Sequence, residues 1–282
     1  MKALFFTLAL LIGSQLWGQN PKVELNWKIA PAEPLSYQTI MDPIDSSKVD
    51  FKVDDVFPDS EESNMEAQKM LQKLNKAFES INKVSVLSAG DDGNIDVKII
   101  ANIDTSMTSG DSLLEAAEMA KNFLALNEGV MLRGSIHPQG DIHSFWLKTK
   151  QKNLLALLFE LPTQAVAEGD VWSLEVNFIL NDQNFICDSA IQINQIQLLE
   201  LREDEGETIA VLKYNLYEYV KGEFNNPFSG MIPTMMSFTY QGIAEFSVDK
   251  GRWKSFDGLL GVKASGVMDA NTQQVVSLIP IE

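Results

Sequence analysis

The feature that most constrains this chain is an alternation of apolar and polar side chains that starts at Trp172 and runs almost to the C-terminus. In MMSFTYQGIAEFSV, the residues Met236, Phe238, Tyr240, Gly242, Ala244, Phe246 and Val248 share one side. A side-chain period of two belongs to extended strands with one face on a core. Trp172, Leu174, Val176 and Phe178 open the series, with Ser173, Glu175 and Asn177 on the other face. AIQINQIQLLELRE and ETIAVLKYNLYEYV flank the turn Asp204-Glu205-Gly206-Glu207, and Asp249-Lys250-Gly251 leads into RWKSFDGLLGVKASGVM. TQQVVSLIPIE supplies a last strand. Turns this short join antiparallel neighbours, so a meander is expected. The apolar phase slips between Ile193 and Ile196, which predicts a bulge there.

The first half mixes two periods. VELNWKI (23–29), LSYQTIM (35–41) and SKVDFKV (47–53) read as strands, and KVSVLSAGDDGNIDVKIIANI (83–103) as a pair around Asp91-Asp92-Gly93-Asn94. Ser63-x-x-Glu66 is a capping box, and Met70, Leu71, Leu74, Phe78 and Ile81 follow at helical spacing. Ser112-x-x-Glu115 repeats the signal ahead of Leu113, Ala116, Ala120, Phe123 and Leu124. GVMLRGSIHPQGDIHSFWLK reads as a hairpin turning at Pro138–Asp141, and KNLLALLFE (152–160) as a short buried helical piece ended by Pro162. The expected fold is α+β: a large curved antiparallel sheet, a half-barrel-like meander, with two amphipathic helices packed on it. The expected division is a signal peptide at 1–18, an N-terminal α+β subdomain at 19–160 and a C-terminal antiparallel subdomain at 161–282.

MKALFFTLALLIGSQLWGQ has one basic residue, an apolar run too short to span a bilayer and a small-residue exit. It reads as an export signal cut between Gly18 and Gln19, with no transmembrane segment expected in the mature chain. The expected destination is the periplasm or the exterior. Asp and Glu number 39 against 22 Lys and Arg, a net charge of −17. Such a field argues against nucleic acid and anionic membranes as partners. Cys187 is the only cysteine, so no intrachain disulfide can form. Its apolar neighbours in NFICDS suggest a buried small residue rather than a nucleophile.

Motifs for common chemistries are missing: Gly-x-Ser-x-Gly, the phosphate loop, the dinucleotide fingerprint and His-Glu-x-x-His. No cofactor or metal is expected. His137 and His143 flank a turn that holds Asp141; a two-His, one-carboxylate site lacks a third convincing ligand there, and surface histidines are the plainer reading.

The junction LPTQAVAEGDVWSLEVNF (161–178) contains LP-x4-A-x-GD-x-W. Together with HPQGDIHSF and YQGIAEFSVDKGRWKSFDGLLGVKASGVM (240–268), it resembles an uncharacterised family of exported, Bacteroidetes-like bacterial proteins of unknown function. That resemblance brings no catalytic residues. KGEFNNPFSGMIPTMM (221–236) reads as an apolar loop that either covers a core opening or forms a lip. The expected role is a non-enzymatic binding or scaffold protein of the envelope, with an envelope protein or an apolar small molecule as partner and the concave sheet as the place for an apolar ligand. Phe224, Phe228, Met231, Phe238, Tyr240 and Phe246 are the candidate ligand-binding residues, with Leu212 and Leu216 lining the same cavity. The alternative is a secreted hydrolase with an unrecognised site.

Overall fold

The computed structural model describes residues 21–44, 48–51, 81–103, 129–139, 142, 149–178, 185–226, 230–266 and 268–281. They form strands β1 (Leu35–Pro43), β2 (Lys48–Phe51), β3 (Ile81–Ala89), β4 (Ile95–Ile103) and β5 (Val130–Ile136), then one helix, α1 (Thr149–Phe159). The short β6 (Val171–Trp172) precedes five long strands: β7 (Phe185–Asp204), β8 (Glu207–Asn226), β9 (Gly230–Ser247), β10 (Arg252–Ser265) and β11 (Met268–Ile281). All belong to one antiparallel sheet of order β5-β4-β3-β1-β11-β10-β9-β8-β7-β6, with β2 added on β11. Its two ends do not pair, so no barrel closes.

The α+β expectation is therefore overturned. Among the described residues the molecule is almost all sheet, and the only helix is the short apolar piece. The two expected amphipathic helices fall on 63–81 and 112–124, which lie outside the described residues except for Ile81. That residue opens β3 instead of closing a helix. The meander itself is present, with its 204–207 turn. Glu205 and Gly206 have φ of 53° and 82°, the paired left-handed conformation that matches the twist of two-residue hairpins. The strands of 19–160 and 161–282 share this sheet, because β1 pairs with β11 from Ser36↔Ile281 to Pro43↔Gln274.

Three smaller expectations are corrected. VELNWKI is not a strand: Val23 bonds to Val166, the Trp27 amide to Pro138 and the Lys28 amide to Gly251, three partners on three segments. The bulges in β7 fall between Cys187 and Ser189 and between Leu198 and Glu200, not between Ile193 and Ile196. Residues 221–226 and 230–236 are strand, not loop; β8 and β9 pair up to Asn226↔Gly230.

One face of the sheet carries the core. Apolar side chains of neighbouring strands line up across it, as in Leu198–Leu212–Ala244–Phe256–Leu278. The helix lies against this face with Leu155 to Phe159 all fully buried. Trp27 and Trp253 pack edge to face at 5.7 Å, and Phe246 meets both. Each large aromatic removes roughly 150–250 Å² from water, worth about 4–6 kcal/mol at the usual area coefficient.

Gly258 pairs with Gly242 across β10 and β9, and the Tyr240 ring lies over both. A Cβ on Gly242 would fall 2.7 Å from the Asp257 carbonyl and 2.8 Å from Tyr240 Oη. A Cβ on Gly258 would overlap the phenol itself. Gly258→Ala is expected to cost about 1–3 kcal/mol through overpacking. Urea denaturation should show a lower midpoint at unchanged slope; an unchanged midpoint would show that Tyr240 moves aside freely.

Candidate binding surface

The junction at 161–178 is a strap rather than a strand. Its alternation is real: Leu174 and Val176 are buried, while Ser173 and Glu175 are exposed. Only Val171 and Trp172 join the ladder, opposite Gln197 and Ile196. Beyond them the strap leaves the sheet edge and crosses its inner face, and side chains satisfy its backbone. Asn194 accepts from the Leu174 amide at 3.0 Å and donates to the Leu174 carbonyl at 2.6 Å. Glu160 accepts from the Glu175 amide, Gln192 donates to the Val176 carbonyl, and Asn153 binds both backbone groups of Asn177. Glu218, buried on β8, accepts from the Phe178 amide at 2.7 Å. Phe178 then stacks on Phe238 with ring centroids 3.7 Å apart. No sequence motif announces this polar grip. Its one signal in the sequence is Glu218 and Asn194 at inward positions of otherwise apolar strand faces.

The two acids of the junction serve the backbone. Asp170 accepts from the Ala167 amide and Glu168 from the Leu201 amide. An open depression of about 390 Å³ lies beside them, bounded by Glu160, Pro162, Gln164, Trp172 and Glu175.

The expected ligand-binding residues fall in two places. Phe238, Tyr240 and Phe246 are buried in the core with Leu212 and Leu216. Tyr240 packs among Tyr214 and Phe256, and burial pushes both tyrosine hydroxyls well above their usual range. The Tyr240 hydroxyl has no hydrogen-bond partner among the described residues. Phe224 and Met231 instead sit at the β8–β9 hairpin tip, Phe224 half-buried and Met231 42% exposed. Phe228 lies outside the described residues. Met235 is 45% exposed near this tip and, with Met236, Tyr219 and Lys263, borders a second open depression of about 370 Å³.

Cys187 is exposed, not buried, because the neighbouring bulge sits on the outermost long strand. His137 is exposed and its Nδ1 accepts from the Gln139 amide. His143 and Asp141 lie outside the described residues, within which no group of three metal-ligating side chains occurs.

Charged side chains cluster at the opposite end, around the 204–207 turn. Arg202 bridges Asp204 and Glu245, Lys254 pairs with Asp204 at 2.6 Å, and Lys250 pairs with Glu207. The Lys254 bond holds the Asp204 carboxyl below the usual carboxylate range; Lys250 and Ser247 do the same for Glu207. The Thr208 amide holds Asp249 down. Folded-state values below unfolded ones stabilise the fold above the ordinary carboxylate range, and that contribution fades as pH falls through the depressed values.

No helix among the described residues is long and apolar enough to cross a membrane. Compared with known proteins, the chain matches no family model, no curated protein and no solved structure. The likeness to exported bacterial proteins therefore rests on residue patterns alone.

Two outcomes follow. Glu218→Ala should cost about 1–3 kcal/mol by stranding the Phe178 amide, and hydrogen exchange at that amide should accelerate; unchanged exchange would remove Glu218 from the grip. Acid titration should show stability falling below about pH 4, with a smaller loss in a Lys250→Met/Lys254→Met variant. An equal loss in both proteins would place the acid sensitivity elsewhere.

Proposed function

We propose that this chain is a non-enzymatic exported protein that binds an envelope protein or an apolar molecule at the surface of its sheet. The observation that carries this reading is the contrast between the two groups of expected binding residues. Phe246 is fully buried against Trp27 and Trp253, and Tyr240 against Tyr214 and Phe256, so their rings are already packed. By contrast, Met231 stands exposed at the hairpin tip, and Met235, farther along β9, is exposed at the border of an open depression. Methionine is unbranched and polarisable, and suits adaptable apolar contact. The acidic surface fits a protein kept soluble outside the cytoplasm.

The hydrolase alternative draws little from the described residues. The shifted carboxylates lie in surface ion pairs and shift downward, whereas a general acid needs the opposite direction.

The test is native mass spectrometry of the exported chain purified without detergent, followed by organic extraction and by capture from envelope extract. The expected result is an apolar adduct or a captured envelope protein that Met231→Ser/Met235→Ser weakens at least about tenfold. An empty chain that captures nothing, or binding indifferent to that variant, overturns the reading.

A further inference from the structure

We propose that the outer face of the sheet, from β7 to β11, binds an uncharged carbohydrate laid flat across it, with Tyr217 and Tyr219 against the sugar rings. The inference goes beyond the hairpin-tip reading and uses neither Met231 nor Met235.

The face opposite the core follows from the ladders. Its middle row runs Ile193–Tyr217–Thr239–Gly261–Gln273 from β7 to β11. Beside it lie Ile191–Tyr219–Ser237–Lys263–Asn271 and, on the other side, Gln195–Asn215–Gln241–Leu259–Val275. Strand spacing and rise make this area about 19 Å across and about 14 Å along the strands. Charged residues form 22% of the chain, yet of these fifteen only Lys263 is charged, and nine carry a side-chain amide or hydroxyl. Charge returns one row further out, with Lys213 and Asp257 on one side and Lys221 on the other.

The polar groups of this area are uncommitted. Of the five tyrosines, Tyr37, Tyr214 and Tyr240 are buried in the core; Tyr217 and Tyr219 occupy successive outward positions of β8 and stay partly exposed. Neither makes a ring contact or a side-chain hydrogen bond with a described residue, and the side chains of Asn215, Ser237, Gln241 and Asn271 make no hydrogen bond either. The surface is also hollowed. Gly261 leaves a dip in the middle row, where a Cβ would fall 2.6 Å from Thr239 Oγ1. Tyr219, Ser237, Lys263 and Asn271 border the open depression of about 370 Å³.

These features select the occupant. An anionic polymer would meet one cation on a chain of net charge −17. A protein interface has an apolar centre and a polar rim. Here the order is reversed: Tyr217, Ser237, Thr239 and Gly261 hold the centre, and the aliphatics stand at the margins, on β7 and at Leu259 and Val275. An apolar small molecule favours a concave, mostly apolar pocket, which this open polar face is not. A neutral sugar chain presents what remains: hydroxyls that both donate and accept, and C–H faces that lie against phenol rings. Tyrosine with Ser, Asn and Gly is a composition that combines rigid amphipathic contact with adaptable hydrogen bonding.

The test is isothermal titration of the full chain with cellohexaose, laminarihexaose, maltohexaose, mannohexaose and chitohexaose, with hexagalacturonate as the charged counterpart. At least one neutral sugar should bind with a dissociation constant of about 1 mM or tighter. Tyr217→Ala/Tyr219→Ala should weaken it at least about tenfold. Gln241→Ala/Asn271→Ala removes exposed side chains that hold nothing else; it should weaken binding about threefold or more and leave the melting temperature unchanged. Failure of every neutral sugar to bind overturns the proposal. So does tighter binding of hexagalacturonate, or binding that both double variants leave intact.

Discussion

The fold hangs on the end of its helix. Helix C-termini leave carbonyls without intrahelical partners, and burying them bare is costly. Here the last turn points into the core, and two tryptophans meet it. Trp253 Nε1 donates to the Leu158 carbonyl at 2.9 Å, and Trp27 Nε1 to the Phe159 carbonyl at 3.0 Å. The indoles thus solve two problems together: each buries a large ring, and each supplies a donor where the helix lacks one. Tyr37 extends the arrangement by accepting from the Trp253 amide at 3.1 Å, next to the β10 bulge. One cluster therefore ties the N-terminal segment, the first strand, the helix and the meander together.

Everything downstream of that cluster concerns how a single sheet is covered. The helix spans only 11 residues, whereas β8 runs for 20. The strap extends the cover. It carries Leu174, Val176 and Phe178 over the inner face, and polar side chains stand in for the ladder it gives up. Buried polar groups need partners, and Glu218, Asn194 and Asn153 find theirs in the strap's backbone. Once the strap has moved inward, though, it no longer protects the edge of β7. Core cover and a stretch of β7 edge, Ser189–Ile193, that pairs with none of the described strands are two results of one diversion.

The long strands and their turns were legible in the sequence because their signal is local: alternation with period two, and Gly or Asp at the turns. The helix at 149–159 was legible for the same reason, through its apolar run and Pro162. The fold class was not, because the helical spacing at 63–81 and 112–124 drew attention to two helices as the cover and away from the short one that lies on the sheet. Pairing at long range was equally hidden. Nothing in LSYQTIM says that it will lie between β11 and β3, and nothing in VELNWKI says that its backbone will divide among Val166, Pro138 and Gly251. At the candidate site, periodicity marks apolar positions but does not separate a filled face from a hollow one.

Residues 173–178 show where such reading stops in principle. Their alternation is as regular as that of β9, yet only β9 has strands on both sides. Side-chain period reports which face is buried; it says nothing about what takes the backbone hydrogen bonds. In β9 those bonds go to β8 and β10, and in the strap they go to Glu160, Asn153, Glu218 and Asn194, contributed by three other segments. Backbone groups away from water are almost always paired, so an alternating segment without neighbouring strands requires inward polar side chains nearby. An Asn or Glu at a core-facing strand position is then a mark of a strap elsewhere in the chain, not a defect of the strand that carries it.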